Sequence, residues 1–169
     1  MILVTGGSAS GKSAFAEKLL TERSSEGRTY LATMNPAGKE AAERIARHRK
    51  MREGAGFTTV ECPVHISDAA SSCGRAVLLE DLGNLVANEM FLGGGFRESV
   101  ADEIGRDLLL LDEACDLLVV VTDEVFSDGG QYGYETRQYL IELGRLNCFA
   151  AAHSPEVWEV VCGIGLRRK

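Results

Sequence analysis

The sequence predicts an α/β fold with a largely parallel sheet, on three observations. The apolar run Ile2-Leu3-Val4 leads straight into Gly6-Gly7-Ser8-Ala9-Ser10-Gly11-Lys12-Ser13 and then into helix formers, which is strand, glycine-rich loop and helix in succession. Ala76-Val77-Leu78-Leu79 and Leu117-Leu118-Val119-Val120-Val121 are apolar at every position. A strand without a polar face must be covered on both faces, as it is when helices flank a parallel sheet. Segments of helical period separate these strands, the alternation that βαβ units require.

The first loop carries the most chemistry. Gly6 to Ser13 fits G-x-x-x-x-G-K-[ST]. In that pattern glycines let the backbone curl so that its N–H groups point inward at a phosphate, and the next helix adds the positive end of its dipole. Gly6, Gly7, Ser8, Ala9, Ser10, Gly11, Lys12 and Ser13 are therefore the expected binding residues for a nucleoside triphosphate. Lys12, its ammonium expected to be exposed, would reach the β- and γ-phosphates, and the Ser13 hydroxyl would ligate Mg²⁺. The helix continues through Ala14-Phe15-Ala16-Glu17-Lys18-Leu19-Leu20, with Phe15 and Leu19 on one face.

Arg28-Thr29-Tyr30-Leu31-Ala32-Thr33 is rich in strand formers, so a second strand is expected to end at Thr33, before the break Met34-Asn35-Pro36-Ala37-Gly38. Lys39 to about Arg52 reads as a largely exposed helix that gathers Arg44, Arg47, His48, Arg49, Lys50 and Arg52 on an otherwise acidic chain. Gly54-Ala55-Gly56 ends it, and Phe57 to Glu61 is a short strand stopped by Pro63. Val64 to Cys73 is weakly helical. The apolar strand from Ala76 ends in Glu80 and Asp81. Leu82 to Phe91 is a helix, Gly93-Gly94-Gly95 a joint, and about Arg97 to Ala114 a longer amphipathic helix. The apolar strand from Leu117 ends at Asp123-Glu124. Phe126 to Tyr134 has no periodicity and reads as a loop, about Glu135 to Ala152 as a helix, and Glu156 to Val161 as a last strand before the basic tail Arg167-Arg168-Lys169.

In open parallel sheets ligands sit at the carboxyl ends of the strands, which collects Thr33, Glu80, Asp81, Asp123 and Glu124 around the loop. Glu80, the first acid after its apolar run, is the expected Mg²⁺ ligand beside Ser13. His48 lies four residues from both Arg44 and Arg52, so all three share a helical face. Two adjacent cations disfavour imidazolium and leave a neutral ring nitrogen able to attack phosphorus, with guanidinium groups to hold the phosphates. An exposed basic helix also suits a histidine with no chemical role, and the residues by themselves leave both readings open.

Composition narrows the class. At 169 residues the chain has the length of one domain, expected to span 1–169, and can bury a core without staples. A formal charge of −7 and a pI near 5.0 argue against a protein that coats nucleic acid or an anionic membrane, since both demand a basic face. The five cysteines are scattered and form no C-x-x-C pair, which points to reduced thiols in a cytoplasmic protein, not a disulfide framework or zinc site. The N-terminal apolar run is too short for a signal peptide and no stretch is long enough to span a bilayer, so a soluble intracellular protein is expected. These features fit a P-loop kinase of a small alcohol, with or without a nucleotidyl step. They also fit a non-catalytic partner protein that changes shape with the nucleotide.

The motifs together carry a resemblance. They are Gly6 to Ser13, Arg44-Ile45 followed by His48 and Arg52, Glu80 with Asn88, Thr122-Asp123-Glu124-Val125, Arg137, Gly144-Arg145 with Asn147, and the closing Val160-Val161-Cys162-Gly163-Ile164. Over essentially its whole length the chain resembles the bifunctional adenosylcobinamide kinase / adenosylcobinamide-phosphate guanylyltransferase family of cobalamin biosynthesis. The R-I-x-x-H-x-x-x-R and G-R-x-N segments make this likeness more specific than the loop alone. The resemblance implies a RecA-like P-loop NTPase fold of three layers, assembling as a homotrimer and using GTP, ATP and Mg²⁺ on a corrinoid substrate. It implies phosphorylation of the aminopropanol hydroxyl of adenosylcobinamide, then guanylyl transfer through a covalent GMP–histidine that by position is His48. Lys12, Glu80 and His48 are then the expected catalytic residues, and Thr33, Met34, Asn35 and Arg52 join the loop in binding nucleotide. Two features depart from the family's pattern. Asp123 stands where typical members have Asn, with Phe126-Ser127-Asp128-Gly129-Gly130-Gln131 in place of G-x-G-x-x-P, and Cys148 follows Asn147 where Gln is usual. If that loop contacts the corrinoid, its recognition or the balance of the two activities differs here.

Overall fold

Alternation along the central strands sends successive side chains to opposite faces of one sheet, and each face meets its own helices. The computed structural model describes residues 1–25, 27–35, 56–127 and 129–169. Strands β1 (Ile2–Gly6), β2 (Arg28–Ala32), β3 (Phe57–Glu61), β4 (Ala76–Glu80), β5 (Leu117–Asp123), β6 (Glu156–Val161) and β7 (Ile164–Arg167) form a seven-stranded sheet in the order β3-β2-β4-β5-β1-β6-β7. All neighbours are parallel except β6 and β7. Ile2, Val4, Leu78, Val119 and Val121 pack with Ala16, Leu19 and Leu20 of α1 (Lys12–Arg23). Leu3, Val77, Leu79, Leu118 and Val120 pack on the other side, with α2 (Leu82–Phe91), α3 (Ala101–Ala114) and α4 (Tyr134–His153). Helices on both faces of a mostly parallel sheet make three layers, which is why β4 and β5 need no polar face.

Parallel pairing brings the carboxyl ends of the strands to one edge of the sheet. Gly6 pairs with Asp123 and Ala32 with Glu80. One residue further on, the Thr33 N–H donates to Glu80 O and the Glu124 N–H to Gly6 O, both at 3.0 Å. The loop after β1 and the acids closing β4 and β5 therefore share one edge.

The structure differs from the sequence-based expectation in three places. The strand ending at Val161 is not the last: Cys162 (φ 50°) and Gly163 (φ 79°) turn the chain, and β7 returns along β6 into the basic tail. Helix α3 starts at Ala101 and not near Arg97, because Glu142 Oε2 accepts the N–H groups of Val100 and Ala101 at 2.8 Å each and so caps it there. The weakly helical stretch Val64 to Cys73 holds a 3-10 helix, Ile66–Ser72. The expected helix from Lys39 to Arg52 lies outside the described residues.

Candidate active site

The loop after β1 is shaped by positions that a side chain would spoil. Gly11 takes φ 89° as the N-cap of α1, a left-handed conformation that favours glycine. A Cβ on Gly6 would lie 2.6 Å from both Ser10 Oγ and Val160 O. The Ser10 N–H bonds Gly7 O at 3.2 Å, and the Gly163 N–H from the β6–β7 turn donates to Ser10 O at 2.7 Å. The closing hairpin thus props the loop from outside. Beside it lies a cleft of about 280 Å³, lined by Ala9 to Ala14 and Glu17.

Lys12 is not exposed as the sequence suggested. Its side chain is 10 % accessible, with Nζ 2.6 Å from Asp123 Oδ1 and 3.2 Å from Gly7 O. The sequence could not show this cover, because it comes from the neighbouring strand β5. Asp123 is itself 26 % accessible, so the pair sits at the cleft's edge.

Ser13 and Glu80 are brought together: Ser13 Oγ donates a hydrogen bond to Glu80 Oε1. Glu80 Oε2 is buried and has no hydrogen-bond partner among the described residues. Burial pushes the Glu80 carboxyl up to about 8, with the nearby Asp81 and Glu17 charges adding to the rise while Ser13 and Lys12 oppose it. A hydroxyl and a carboxylate with an unpartnered buried oxygen are hard oxygen donors that fit Mg²⁺. Asp81 has a different task. Its Oδ1 accepts the Asn84 N–H at 2.7 Å and its Oδ2 the Asn84 Nδ2 at 2.9 Å, capping α2. Burial pushes it up to about 6, against the pull of the Asn84 bonds.

Thr33 is fully buried, and its hydroxyl lies 2.9 Å from Glu80 O and 2.8 Å from Asp81 O while accepting the Asp81 N–H at 2.8 Å. It stitches β2 to the end of β4 beneath the cleft. Met34 and Asn35 follow it, half-buried. Glu124 turns into its own loop, where Oε1 accepts from Phe126 N–H at 3.3 Å and Ser127 Oγ at 2.9 Å. His48, Arg44 and Arg52 lie outside the described residues. Three further residues hold the edge in place. Asn88 Nδ2 donates to Thr33 O at 2.7 Å and to Pro63 O at 3.0 Å. Asn147 accepts from Thr122 Oγ1 at 2.6 Å and donates to Asp123 O at 3.2 Å. Tyr139 Oη donates to Gly83 O at 3.3 Å, and burial pushes its phenol up to about 12. The two asparagines stand in the motifs quoted above, but Tyr139 had no sequence signal beyond its place on a helix.

The family described as cobinamide kinase / cobinamide phosphate guanyltransferase matches residues 2–167. The bifunctional adenosylcobalamin biosynthesis protein CobU of Salmonella typhimurium (strain LT2) is 34 % identical over 183 residues, covering 100 % of this chain and 99 % of its own. Two solved structures share the fold alone: the flagellar accessory protein FlaH of Methanocaldococcus jannaschii and the KaiC-like protein PH0186 of Pyrococcus horikoshii. FlaH aligns with TM-score 0.54 at 11 % identity, over 99 % of this chain and 77 % of its own. PH0186 aligns with TM-score 0.51 at 13 % identity, over 94 % and 70 %. With its P-loop at one sheet edge and a match from end to end, the chain belongs to the cobinamide kinase / cobinamide phosphate guanyltransferase family.

Proposed function

We propose that one P-loop serves both reactions of this enzyme: phosphorylation of the adenosylcobinamide hydroxyl by ATP or GTP, then guanylyl transfer from GTP to adenosylcobinamide phosphate. The observation that supports it most directly is the meeting of Lys12, Ser13, Glu80 and Asp123 around one loop. In the kinase step the loop amides and Lys12 draw charge from the transferring phosphoryl group, and Gly6 to Ser13 fix its orientation. Ser13 and Glu80 hold Mg²⁺, which supplies positive charge to the phosphates when bound. In the transferase step a His48 ring nitrogen attacks the α-phosphorus of GTP, pyrophosphate leaves, and the GMP passes to the corrinoid phosphate. Arg44 and Arg52 share His48's helical face by spacing and suit the charge of that departing group.

The five cysteines are free thiols, which suits the reducing cytoplasm, and among the described residues no helix is long and apolar enough to cross a membrane. The working assembly is a homotrimer, to be checked by sedimentation. The test of function is cobinamide-dependent ADP formation, followed by GTP-dependent conversion of the cobinamide phosphate. Lys12→Ala should remove the first activity. ADP formation indifferent to cobinamide would overturn the reading, and cobinamide phosphorylation without subsequent GMP transfer would reduce it to a kinase.

A further inference from the structure

Four acids stand at the carboxyl ends of β4 and β5, and their partners separate their tasks. Glu80 is bonded to Ser13, both Asp81 oxygens to Asn84, and Glu124 Oε1 to its own loop. Asp123 alone among the described acids presents its carboxylate to the P-loop lysine, with Oδ1 2.6 Å from Lys12 Nζ. Its other oxygen packs closely against Gly83, where there is no room for a side chain. A Cβ there would come within 3.0 Å of Asp123 Oδ2, 3.2 Å of Asp81 Oδ1 and 3.2 Å of Tyr139 Oη.

We propose that Asp123 is the general base of the kinase step, accepting the proton of the acceptor alcohol as its oxygen attacks the γ-phosphorus. This rests on the kinase reading above. A bound triphosphate offers Lys12 a denser negative charge than one carboxylate does. Lys12 turns to it, and Asp123 is left unpaired beside the γ-phosphate. The hydroxyl proton passes to an Asp123 oxygen and the new O–P bond forms. The bond between the γ-phosphorus and the β–γ bridging oxygen breaks, and its electron pair leaves on the nucleoside diphosphate. The titratable groups facing Asp123 are Lys12 from α1, Asp81 at the head of α2 and Tyr139 from α4.

The test is Asp123→Asn in the full chain with Mg²⁺, triphosphate and cobinamide. The kcat of cobinamide-dependent diphosphate formation should fall about 100-fold, with loss of the acid limb of its pH profile. Triphosphate Kd should be unchanged or tighter, because Lys12 has lost a competitor, and label transfer from α-labelled GTP to the protein should persist. A kcat within about threefold of the parent overturns the proposal. So does loss of triphosphate binding, which would make Asp123 a prop for the loop, and so does an active Asp123→Asn beside an inactive Asp81→Asn. Failure of the parent chain to turn over cobinamide at all is a separate result, and it removes the kinase reading itself.

Discussion

Ser13 and Glu80 lie 67 residues apart in sequence, yet the serine hydroxyl donates to Glu80 Oε1 at the mouth of the P-loop. Parallel pairing makes this possible, since β4 and β1 both flank β5 in the same direction and so end at the same edge of the sheet. The meeting leaves Glu80 Oε2 buried with no hydrogen-bond partner among the described residues, so the site is organised around a charge larger than a hydroxyl can balance.

The first prediction follows from that imbalance. Burial raises the Glu80 carboxyl from 4.5 to about 8, so without a cation the folded protein holds a proton there that the unfolded chain releases. Stability should therefore fall as pH rises through that window, by up to about 1.4 kcal/mol per pH unit. Glu80→Gln should flatten the slope and raise the Mg²⁺ concentration needed for turnover. Urea denaturation of both proteins from about pH 5 to about pH 8 measures it, and parallel curves would contradict it.

Glu142 carries the opposite sign. Burial raises its pKa, but the N–H groups of Ala101 and Val100 and the Arg145 guanidinium at 2.8 Å outweigh that and hold it below the usual carboxylate range. A depressed pKa contributes stability that is present above the unfolded value near 4.5 and is lost as pH falls through the lower folded value. Glu142→Gln should cost about 1–3 kcal/mol at neutral pH, because charge-assisted bonds to a helix start are replaced by weaker ones. The deficit should shrink on acidification. Equal deficits at neutral and acid pH would show that packing, not charge, is what Glu142 supplies.

Gly165 in β7 tests the hairpin's hold on the P-loop. A Cβ there would fall 2.2 Å from Phe15 Cε2, and Phe15 stands two residues past Ser13 with its ring 5.4 Å from that of Trp158. Gly165→Ala should push Phe15 aside, destabilise by about 1–3 kcal/mol and weaken triphosphate binding. Adding Phe15→Leu should recover part of both losses. A melting temperature and Kd equal to the parent's would show that the hairpin does not position the loop.

The central strands and the P-loop were legible because their signals are local: unbroken apolar runs, and glycines in a loop between strand and helix. What was not legible depends on register. Lys12 reads as an exposed cation, and only the pairing of Gly6 with Asp123 shows what covers it. Glu80 and Asp81 are adjacent acids, but one meets Ser13 and the other caps α2, a division set by where β4 ends. The tail's three basic residues resemble a solvated end, and its turn hides behind Cys162, a residue type that rarely signals positive φ. The start of α3 was misplaced because its cap comes from Glu142, on another helix.

The last prediction concerns His48, whose claim rests on sequence alone. It stands four residues from Arg44 and from Arg52, so a helix would set two guanidinium groups beside its ring, where they favour the neutral, nucleophilic imidazole. A ring nitrogen attacking the α-phosphorus of GTP makes a P–N bond and expels pyrophosphate, and the same guanidinium groups stabilise the charge that builds on both. Label from α-³²P-GTP should therefore survive base, be lost in mild acid and disappear in His48→Ala. Cobinamide-dependent kinase turnover should largely remain in that variant, because the γ-phosphoryl transfer proposed above relies on the P-loop and the acids beside it, not on His48. The remaining histidines offer poorer settings for this chemistry: His65 Nδ1 lies 3.6 Å from Glu89, and His153 Nδ1 is 2.8 Å from Phe149 O. Intact-mass spectrometry decides the matter, since a GMP adduct undiminished in His48→Ala would place the nucleophile elsewhere.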